Sequence, residues 1–319
     1  MVRSRALYFD GHELRLIDDH VVERGGEALI RVGLAGICGT DLQILRGYAS
    51  FRGVPGHEFV GRVVESDRSD LVGARVVGEI NAACGRCDMC AVGLRRHCRN
   101  RTVLGIKGRD GVFAEYVRLP VENLHRVPDS VEDERAVFTE PLAAAFEILE
   151  QVHVDPSWRT CVVGDGRLAN LIAQVLRDRV WKLKVIGRHQ RKIGLLRELG
   201  IEAVEGVEPG DESSYDLVVE ATGRAEGLSL ALRLVRPRGH LVLKSTIASE
   251  YRIDLAKVVV DELHVVGSRC GPFRPALSAL SSGSIDVRRL VDGVYGLEEF
   301  RDAFAAASSR GTLKVLLRP

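Results

Sequence analysis

The sequence predicts an α/β protein of two domains, a mostly-β, barrel-like domain followed by a doubly wound parallel-sheet domain. Three observations indicate this fold. The chain has 319 residues, which is enough for two domains with a core each. Short strand-like runs broken by glycine fill the part before about residue 140. Beyond that point strand patterns alternate with helical patterns, as they do in parallel sheets.

The first domain is indicated by runs that are rich in β-branched residues and bounded by turn residues. These runs cover residues 28–37, 59–65, 74–80 and 113–120. Their short length and frequent glycine punctuation favour antiparallel strands that close into a barrel.

The second domain begins after Glu140 with a predicted helix over residues 141–152. Strands are predicted at residues 160–163, 183–186, 216–220, 240–243 and 264–267, and helices between them at 168–176, 191–199 and 225–235. A last helix (297–307) and strand (312–317) are expected to pack back on the first domain. We therefore predict domain bounds of 1–142, 143–272 and 273–319.

The composition excludes several classes of partner. Apolar residues make up 45% of the chain and charged residues 28%, and the formal net charge is +1. Such a balance gives no field to attract nucleic acid or an anionic membrane. The N-terminus lacks the apolar stretch of a signal peptide, and no apolar run is long enough to span a bilayer. We expect a cytoplasmic protein, in which clustered cysteines indicate metal rather than disulfides.

Four cysteines lie within one short loop with the spacing C-x2-C-x2-C-x7-C. They are Cys84, Cys87, Cys90 and Cys98. Four thiolates on such a loop predict a closed, tetrahedral, structural zinc site. The alternatives are an iron–sulfur cluster, a zinc ribbon that binds nucleic acid, and a site in which His97 replaces Cys98 as the fourth ligand. The final gap and the absence of a following proline disfavour the cluster.

A second set of donors can hold a metal and leave one position open. Cys38 follows a strand-like run, and His57 and Glu58 come immediately before another. One thiolate, one imidazole and one carboxylate are typical of a catalytic zinc site. Taken singly, Cys38 is more typical of a small buried side chain, and His57 of a histidine in a core.

A glycine-rich turn between a predicted strand and a predicted helix indicates a dinucleotide site. Residues 164–169 read Gly-Asp-Gly-Arg-Leu-Ala, which is the pattern G-x-G-x-x-A. Gly164 permits the tight turn, and Gly166 lets the backbone approach a pyrophosphate at the start of the helix. We expect Arg167 and Leu168 to line the same turn. A methyltransferase uses a related turn, so the motif alone is weak.

The end of the next predicted strand carries the signal for the type of cofactor. It reads Gly187, Arg188, His189, and Arg191 and Lys192 follow. NAD enzymes usually place an acid there to hold the ribose hydroxyls, and no acid stands at this point of the sequence. Cations can pair with a 2′-phosphate instead. The sequence therefore favours NADP, with NAD as the alternative.

Four segments together resemble the zinc-containing medium-chain dehydrogenases and reductases. They are residues 36–41 (Gly-Ile-Cys-Gly-Thr-Asp), residues 56–58 (Gly-His-Glu), the four-cysteine loop, and residues 111–116 (Gly-Val-Phe-Ala-Glu-Tyr). The resemblance covers nearly the whole chain. It is strongest to the polyol, threonine and glucose dehydrogenases, whose Glu-Pro segment resembles residues 140–141. It implies a GroES-like catalytic domain and a Rossmann nucleotide-binding domain.

The same resemblance implies a role for each candidate residue. Cys38 and His57 would ligate the catalytic zinc, and Glu58 would be a permanent or an exchanging ligand. Glu140 would be a fourth ligand or would hold the bound water, although a carboxylate at a helix N-terminus is also favoured by the helix dipole alone. Thr40 would pass the proton of the substrate hydroxyl.

Two further positions complete the comparison with the family. Thr222 lies in a segment that resembles the family's sequence beside the cofactor. Gln43 stands where many relatives carry a histidine that completes a proton path to solvent. A neutral amide cannot take up that proton, so the alternatives for proton release are a chain of water molecules and Glu58.

These observations predict a zinc-dependent oxidoreductase with one catalytic and one structural zinc. It would transfer a hydride between an alcohol (a polyol, a sugar or another secondary alcohol) and NAD(P). The substrate partner would be a small molecule, with no nucleic acid and no membrane, and the family resemblance implies a homodimer or homotetramer. The alternative is a non-catalytic, nucleotide-binding relative with a structural or regulatory role, which would hold one zinc rather than two.

Overall fold

The chain forms two compact units, and the first of them is built from both ends of the sequence. The computed structural model describes residues 1–23, 25–246 and 253–319. One unit comprises Met1–Glu140 together with Ala276–Pro319, and the other comprises Pro141–Pro275. The predicted fold class is confirmed, because the first unit holds mainly antiparallel strands and the second an all-parallel sheet.

The strands of the described residues are, in chain order, β1 (Val2–Phe9), β2 (Leu14–Val22), β3 (Ala28–Gly36), β4 (Glu58–Glu65), β5 (Arg75–Gly78), β6 (Asn81–Ala82), β7 (Thr102–Val103), β8 (Tyr116–Leu119), β9 (Leu124–Arg126), β10 (Arg159–Val163), β11 (Lys182–Gly187), β12 (Glu202–Glu205), β13 (Tyr215–Glu220), β14 (Val235–Leu243), β15 (His264–Gly267), β16 (Val291–Gly296) and β17 (Lys314–Arg318). The α-helices are α1 (Gly39–Ile44), α2 (Asp88–Ala91), α3 (Asp133–Ala136), α4 (Thr139–Gln151), α5 (Arg167–Leu176), α6 (Gln190–Glu198), α7 (Ala225–Leu234), α8 (Leu255–Val260), α9 (Phe273–Ser282) and α10 (Phe300–Ser308).

The main sheet of the first unit joins the two ends of the chain. Its order is β16-β17-β3-β4-β5-β9, with β8 also paired to β3. Strand β17 lies between β16 and β3, so the C-terminal segment supplies part of the sheet. All of these pairs are antiparallel except β16 with β17. Strands β1 and β2 form a separate hairpin, and β6 pairs with β7.

The register between β3 and β4 brings two distant segments of sequence together. Gly36, at the end of β3, lies opposite Glu58, at the start of β4. A side chain at Gly36 would meet the Glu58 carboxylate, because an added Cβ would lie 2.5 Å from Glu58 Oε2. The residues that follow β3 and precede β4 therefore share one end of the sheet.

The second unit has the strand order of a doubly wound nucleotide-binding sheet. Its six parallel strands follow the order β12-β11-β10-β13-β14-β15. The first strand, β10, is flanked by β11 and β13, so the order of the strands reverses there. Ligands of such sheets bind beyond the carboxyl ends of the strands at this switch point.

The core of the second unit consists of the apolar faces of these strands and of the helices packed on them. Cys161, Val218, Leu234 and Leu241 are fully buried in one cluster of this core. The strands are apolar along most of their length, because a parallel sheet is covered on both faces. In the described part of the chain, no helix is both long enough and apolar enough to cross a membrane.

Candidate active site

Three predicted metal ligands meet at the end of the β3–β4 pair. The donor atoms of Cys38, His57 and Glu58 all lie within 4.8 Å of one another. Cys38 precedes α1, and its backbone N–H donates to the Asp41 carboxylate over 2.7 Å. The first turn of this helix fixes the backbone at Cys38, while Glu58 begins strand β4 and His57 immediately precedes it.

A buried lysine that belongs to none of the sequence motifs holds one of these residues. Lys314 in β17 donates a short hydrogen bond to Glu58 Oε2, and neither side chain is exposed to solvent. The Lys314 ammonium also lies 3.3 Å from the carbonyl oxygen of Ile37 and 5.7 Å from the ring of Phe138. The signal in the sequence was a lysine within the apolar run of a predicted strand.

Several polar atoms of this site are buried without a hydrogen bond in the described structure. They are Glu58 Oε1, His57 Nδ1 and Asp41 Oδ1. His57 Nδ1 lies 3.2 Å from Asp41 Oδ1, at ion-pair distance but without hydrogen-bond alignment. Leaving such atoms unpaired costs about 1–3 kcal/mol each. Because His57 Nδ1 and Asp41 Oδ1 face each other, a cation would offset this cost at Glu58 Oε1. This oxygen, together with the thiol of Cys38 and the imidazole of His57, fits a metal ion.

The electrostatics of His57 agree with a site built for a cation. Burial lowers the pKa of His57, but the negative charges of Asp41 and of Cys38 outweigh that effect and hold the pKa well above its usual value. The protein therefore places negative charge on two sides of the imidazole. A metal ion in the site would take the place of that proton, because a ligating histidine must be neutral.

The remaining predicted residues of this site have different positions. Thr40 Oγ1 lies 3.8 Å from Cys38 Sγ in the first turn of α1. Gln43 lies in the same helix. Glu140 lies in the first turn of α4 and is outside the group of three donors identified among the described residues.

The four cysteines of the loop form a second cluster. The donor atoms of Cys84, Cys87, Cys90 and Cys98 all lie within 4.8 Å of one another. Cys87 Sγ lies 3.5 Å from Cys90 Sγ and 3.7 Å from Cys98 Sγ. Zinc–sulfur bonds of about 2.3 Å in a tetrahedron place the sulfurs about 3.8 Å apart. The spacing of the thiols fits one zinc ion, and the four cysteines are not joined as disulfides.

The backbone of this loop favours thiolates at some of its positions. The pKa of Cys84 is lowered to about 6. The largest cause is hydrogen bonding by the backbone at Arg86, and the next is a hydrogen bond with Cys98. The pKa of Cys90 is raised to about 11, mainly by desolvation and to a lesser extent by hydrogen bonds with Cys87 and Cys98. Opposite shifts of this kind are what closely packed thiols produce, and a bound cation would stabilise all four of them as thiolates.

The glycine-rich turn has the shape that a dinucleotide site requires. Gly164 has a φ of +124°, and a Cβ there would lie 2.7 Å from the carbonyl oxygen of Ala221. Gly166 is the N-cap of α5, and a Cβ there would meet no atom within 4 Å. The turn therefore leaves open space at the start of the helix that begins with Arg167 and Leu168, where a phosphate can approach the backbone.

The prediction that no acid lies at the end of the second parallel strand was wrong. Asp165 extends from the glycine-rich turn to this strand end, and its Oδ2 accepts hydrogen bonds from the backbone N–H groups of Arg188 (2.6 Å) and His189 (2.7 Å). Gly187 makes room for it, because a Cβ there would lie 2.8 Å from the Asp165 side chain. The acid comes from a different segment of sequence, which explains why inspection of the strand end alone missed it.

Thr222 lies just beyond the carboxyl end of β13 and is bound to a buried acid. Its backbone N–H and its hydroxyl both donate to Glu220 Oε1, over 2.7 and 2.6 Å. Ser245 donates to the same oxygen over 3.0 Å. This network fixes the loop after β13 at the switch-point end of the sheet.

Two family models match this chain. The alcohol dehydrogenase GroES-like domain matches residues 24–129, and the glucose dehydrogenase C-terminus matches residues 134–318. A sorbitol dehydrogenase of Halalkalibacterium halodurans is 30% identical over 312 residues, which cover 91% of each chain.

Two solved structures share the fold along their whole length. A protein described as a zinc-binding dehydrogenase from Sinorhizobium meliloti 1021, bound to NADP, has a TM-score of 0.91 and 28% identity, with 100% of both chains covered. An alcohol dehydrogenase (rspB) from Escherichia coli CFT073, complexed with NADH, has a TM-score of 0.90 and 26% identity, again with 100% of both chains covered.

The fold, the donor groups and these similarities define a nicotinamide-dependent alcohol oxidoreductase. The chain belongs to the medium-chain dehydrogenase/reductase family, on the side of the polyol and alcohol dehydrogenases.

Proposed function

We propose that this protein is a zinc-dependent dehydrogenase that transfers a hydride between a secondary alcohol, such as a polyol or sugar, and NAD(P). The observation that carries the proposal is the buried group of Cys38, His57 and Glu58, whose donor atoms lie within 4.8 Å of one another. The similarity to a sorbitol dehydrogenase supports a polyol or sugar as substrate.

In this proposal Cys38, His57 and Glu58 hold the catalytic zinc, and Glu140 either completes the ligand set or holds a water. A zinc ion bound there supplies a Lewis acid that polarises the oxygen of the substrate. Asp41 orients His57 from its Nδ1 side, at 3.2 Å, as residues behind metal ligands commonly do. Lys314 fixes Glu58 by binding one oxygen of its carboxylate and leaving Oε1 free of a protein hydrogen bond in the described structure.

Thr40 accepts the proton of the substrate hydroxyl in this proposal. Its hydroxyl lies 3.8 Å from Cys38 Sγ, beside the proposed ligands. A hydroxyl can accept one proton while donating its own, so Thr40 passes the proton on rather than keeping it. Gln43 cannot take it up as a base, and we propose that water carries it to solvent.

The cofactor is proposed to bind along the glycine-rich turn, with its pyrophosphate at Gly164, Gly166, Arg167 and Leu168 and its nicotinamide half beside Thr222. A nicotinamide bound there would supply the acceptor or the donor of the hydride. We propose NADP ahead of NAD, because Arg188 and His189 begin the segment that faces the adenosine ribose and Arg191 follows. The four cysteines are proposed to hold a second, structural zinc.

We further propose that the protein works in the cytoplasm as a homodimer or homotetramer. The exposed apolar residues Val259 and Val260 of α8 and Val265 of β15 support self-association through the second unit. Sedimentation at several concentrations measures the oligomeric state.

A panel of polyols, sugars and simple secondary alcohols, offered with each cofactor, tests the activity through nicotinamide absorbance. We expect turnover in the wild type and a loss of at least about a hundredfold in C38S, because the metal loses its thiolate. C270S removes a thiol outside both clusters and is expected to keep the activity. Turnover that survives in C38S and in the zinc-free protein would contradict the proposal.

A further inference from the structure

We propose that Asp165 is the residue that lets this chain use NAD and limits its use of NADP. This inference rests on the proposed function, because it concerns the cofactor of that activity. In doubly wound sheets the adenosine ribose lies at the end of the second strand, where an acid accepts hydrogen bonds from its hydroxyls. In this chain the second strand is β11, which ends at Gly187.

The carboxylate of Asp165 occupies this strand end. It accepts hydrogen bonds from the backbone N–H groups of Arg188 and His189, the two residues that lead into α6. The ring Nδ1 of His189 lies 2.9 Å from Oδ2 of the same carboxylate. The Asp165 side chain is 8% exposed. The carboxylate therefore fills the anion position at the N-terminus of a nine-residue helix (Gln190–Glu198), which a phosphate would otherwise favour.

This carboxylate carries a fixed negative charge. Burial raises the pKa of Asp165, but hydrogen bonds from the backbone at Arg188 and His189 outweigh that effect and lower the pKa below its usual value. A 2′-phosphate brought to the strand end would meet this charge, and it would find the nearby N–H groups already bound. A 2′-hydroxyl can instead donate to the carboxylate, as it does to the acid of NAD enzymes.

Two opposing groups therefore act on the 2′-position of the cofactor. The guanidinium of Arg188 attracts a phosphate, and Arg188 is exposed at the surface of this strand end. The carboxylate of the buried Asp165 repels the phosphate. The balance between them sets the ratio of the affinities for NADP and NAD, and Asp165 is the member of the pair that favours NAD.

The experiment measures dissociation constants of NADPH and NADH by titration calorimetry for the wild type, D165N and R188A. Removing one buried charge beside a phosphate is expected to shift the affinity ratio at least about tenfold toward NADPH in D165N. R188A is expected to shift the ratio in the opposite direction. The control D155N removes an acid that bonds Ser157 in a loop before β10, at the amino end of the sheet, and is expected to leave the ratio unchanged.

If D165N does not fold, D165S carries the same test, because a serine hydroxyl can still accept a hydrogen bond from the start of α6. If D165N or D165S folds and the ratio of its NADPH and NADH affinities is unchanged, the proposed role of Asp165 is overturned. In that case, binding of both nucleotides by the wild type leaves the proposed function standing. A wild type that binds neither nucleotide overturns the proposed function and this inference together. Turnover with the alcohol panel is measured separately, so that a failure of chemistry is distinguished from a failure of cofactor choice.

Discussion

Lys314 and Glu58 form an ion pair that is wholly enclosed by protein, with 0% of either side chain exposed. Burying two charges is costly, and a favourable net energy requires good geometry and further hydrogen bonds. The lysine donates a further hydrogen bond to the Ile37 carbonyl, and its ammonium makes a cation–π contact with the Phe138 ring. Because Glu58 is also a proposed zinc ligand, the pair ties the C-terminal strand to the active site.

Replacing Lys314 by methionine is expected to destabilise the protein by about 3–5 kcal/mol, because Glu58 would keep a buried charge without its partner. Urea denaturation measures this loss. The matched control is K107M, at an exposed lysine of the same unit, whose effect is expected to stay within about 0.5 kcal/mol.

The double variant E58Q/K314M separates the charge from the packing at this position. It removes both charges, so it is expected to recover a large part of the stability lost in K314M. A K314M protein that is as stable as the wild type would show that the pair contributes nothing to the fold.

At the scale of residues, the sequence predicted the metal-ligand candidates that stand in recognisable sequence motifs. The structure places the donor atoms of Cys38, His57 and Glu58 close together, and likewise those of the four cysteines of the loop. Asp165 and Lys314 were missed, because each acts on a segment that is distant in sequence. Local spacing contains no information on the register of β17 against β3, nor on the path of the glycine-rich turn across the end of β11.

The loop that carries the four cysteines has little apolar core of its own. Its helix α2 has four residues and no buried side chain, and a single-turn 3-10 helix at Arg95–His97 follows. Of the four cysteines only Cys98 is buried. So short a segment cannot fix its conformation by burying apolar surface, and a bound metal would supply the missing energy.

We expect two zinc ions per wild-type chain and one in C98S, measured by elemental analysis after dialysis. The C98S protein is also expected to melt at a lower temperature, because a structural zinc contributes folding energy directly.

The matched control for this measurement is R99A. Arg99 forms an exposed ion pair with Asp88 at 2.7 Å on the same loop, and R99A keeps all four thiols. Its zinc content is expected to remain at two ions. A C98S chain that still retained two ions would refute the assignment of the loop as a metal site.

At the scale of elements, the alternating pattern of the second unit was predicted well. The predicted strand at residues 264–267 coincides with β15, and the predicted helix at 225–235 differs from α7 by one residue. Strand β1 was missed because arginine and serine interrupt its apolar pattern, and β16 because it has two glycines and an aspartate. Helix α9 was missed as well, since a proline in its first turn resembles a helix stop.

At the scale of the whole chain, the first unit depends on a segment that is distant from it in sequence, residues 276–319. Strand β17 is hydrogen-bonded to β16 on one side and to β3 on the other. The N–H of Ile37, next to Cys38, donates to the carbonyl of Val315 over 3.0 Å. The C-terminal strand thus supports both the sheet and the backbone beside a proposed metal ligand.

A chain that ends at Arg310 is therefore expected to lose the folded first unit. Strand β3 would lose its partner at Ala35 and Gly36, β16 would lose its partner strand, and Glu58 would lose Lys314. Limited proteolysis with mass spectrometry measures the outcome: cleavage is expected to spread through residues 1–140. The second unit has its own buried core and its own complete sheet, so residues 141–246 are expected to resist the protease longer.

A chain that lacks only Pro319 is the control and should be cleaved like the full-length protein. If the chain ending at Arg310 kept its protection across residues 28–65, β17 would not be required to hold the sheet together, and the active site would not depend on the C-terminal segment.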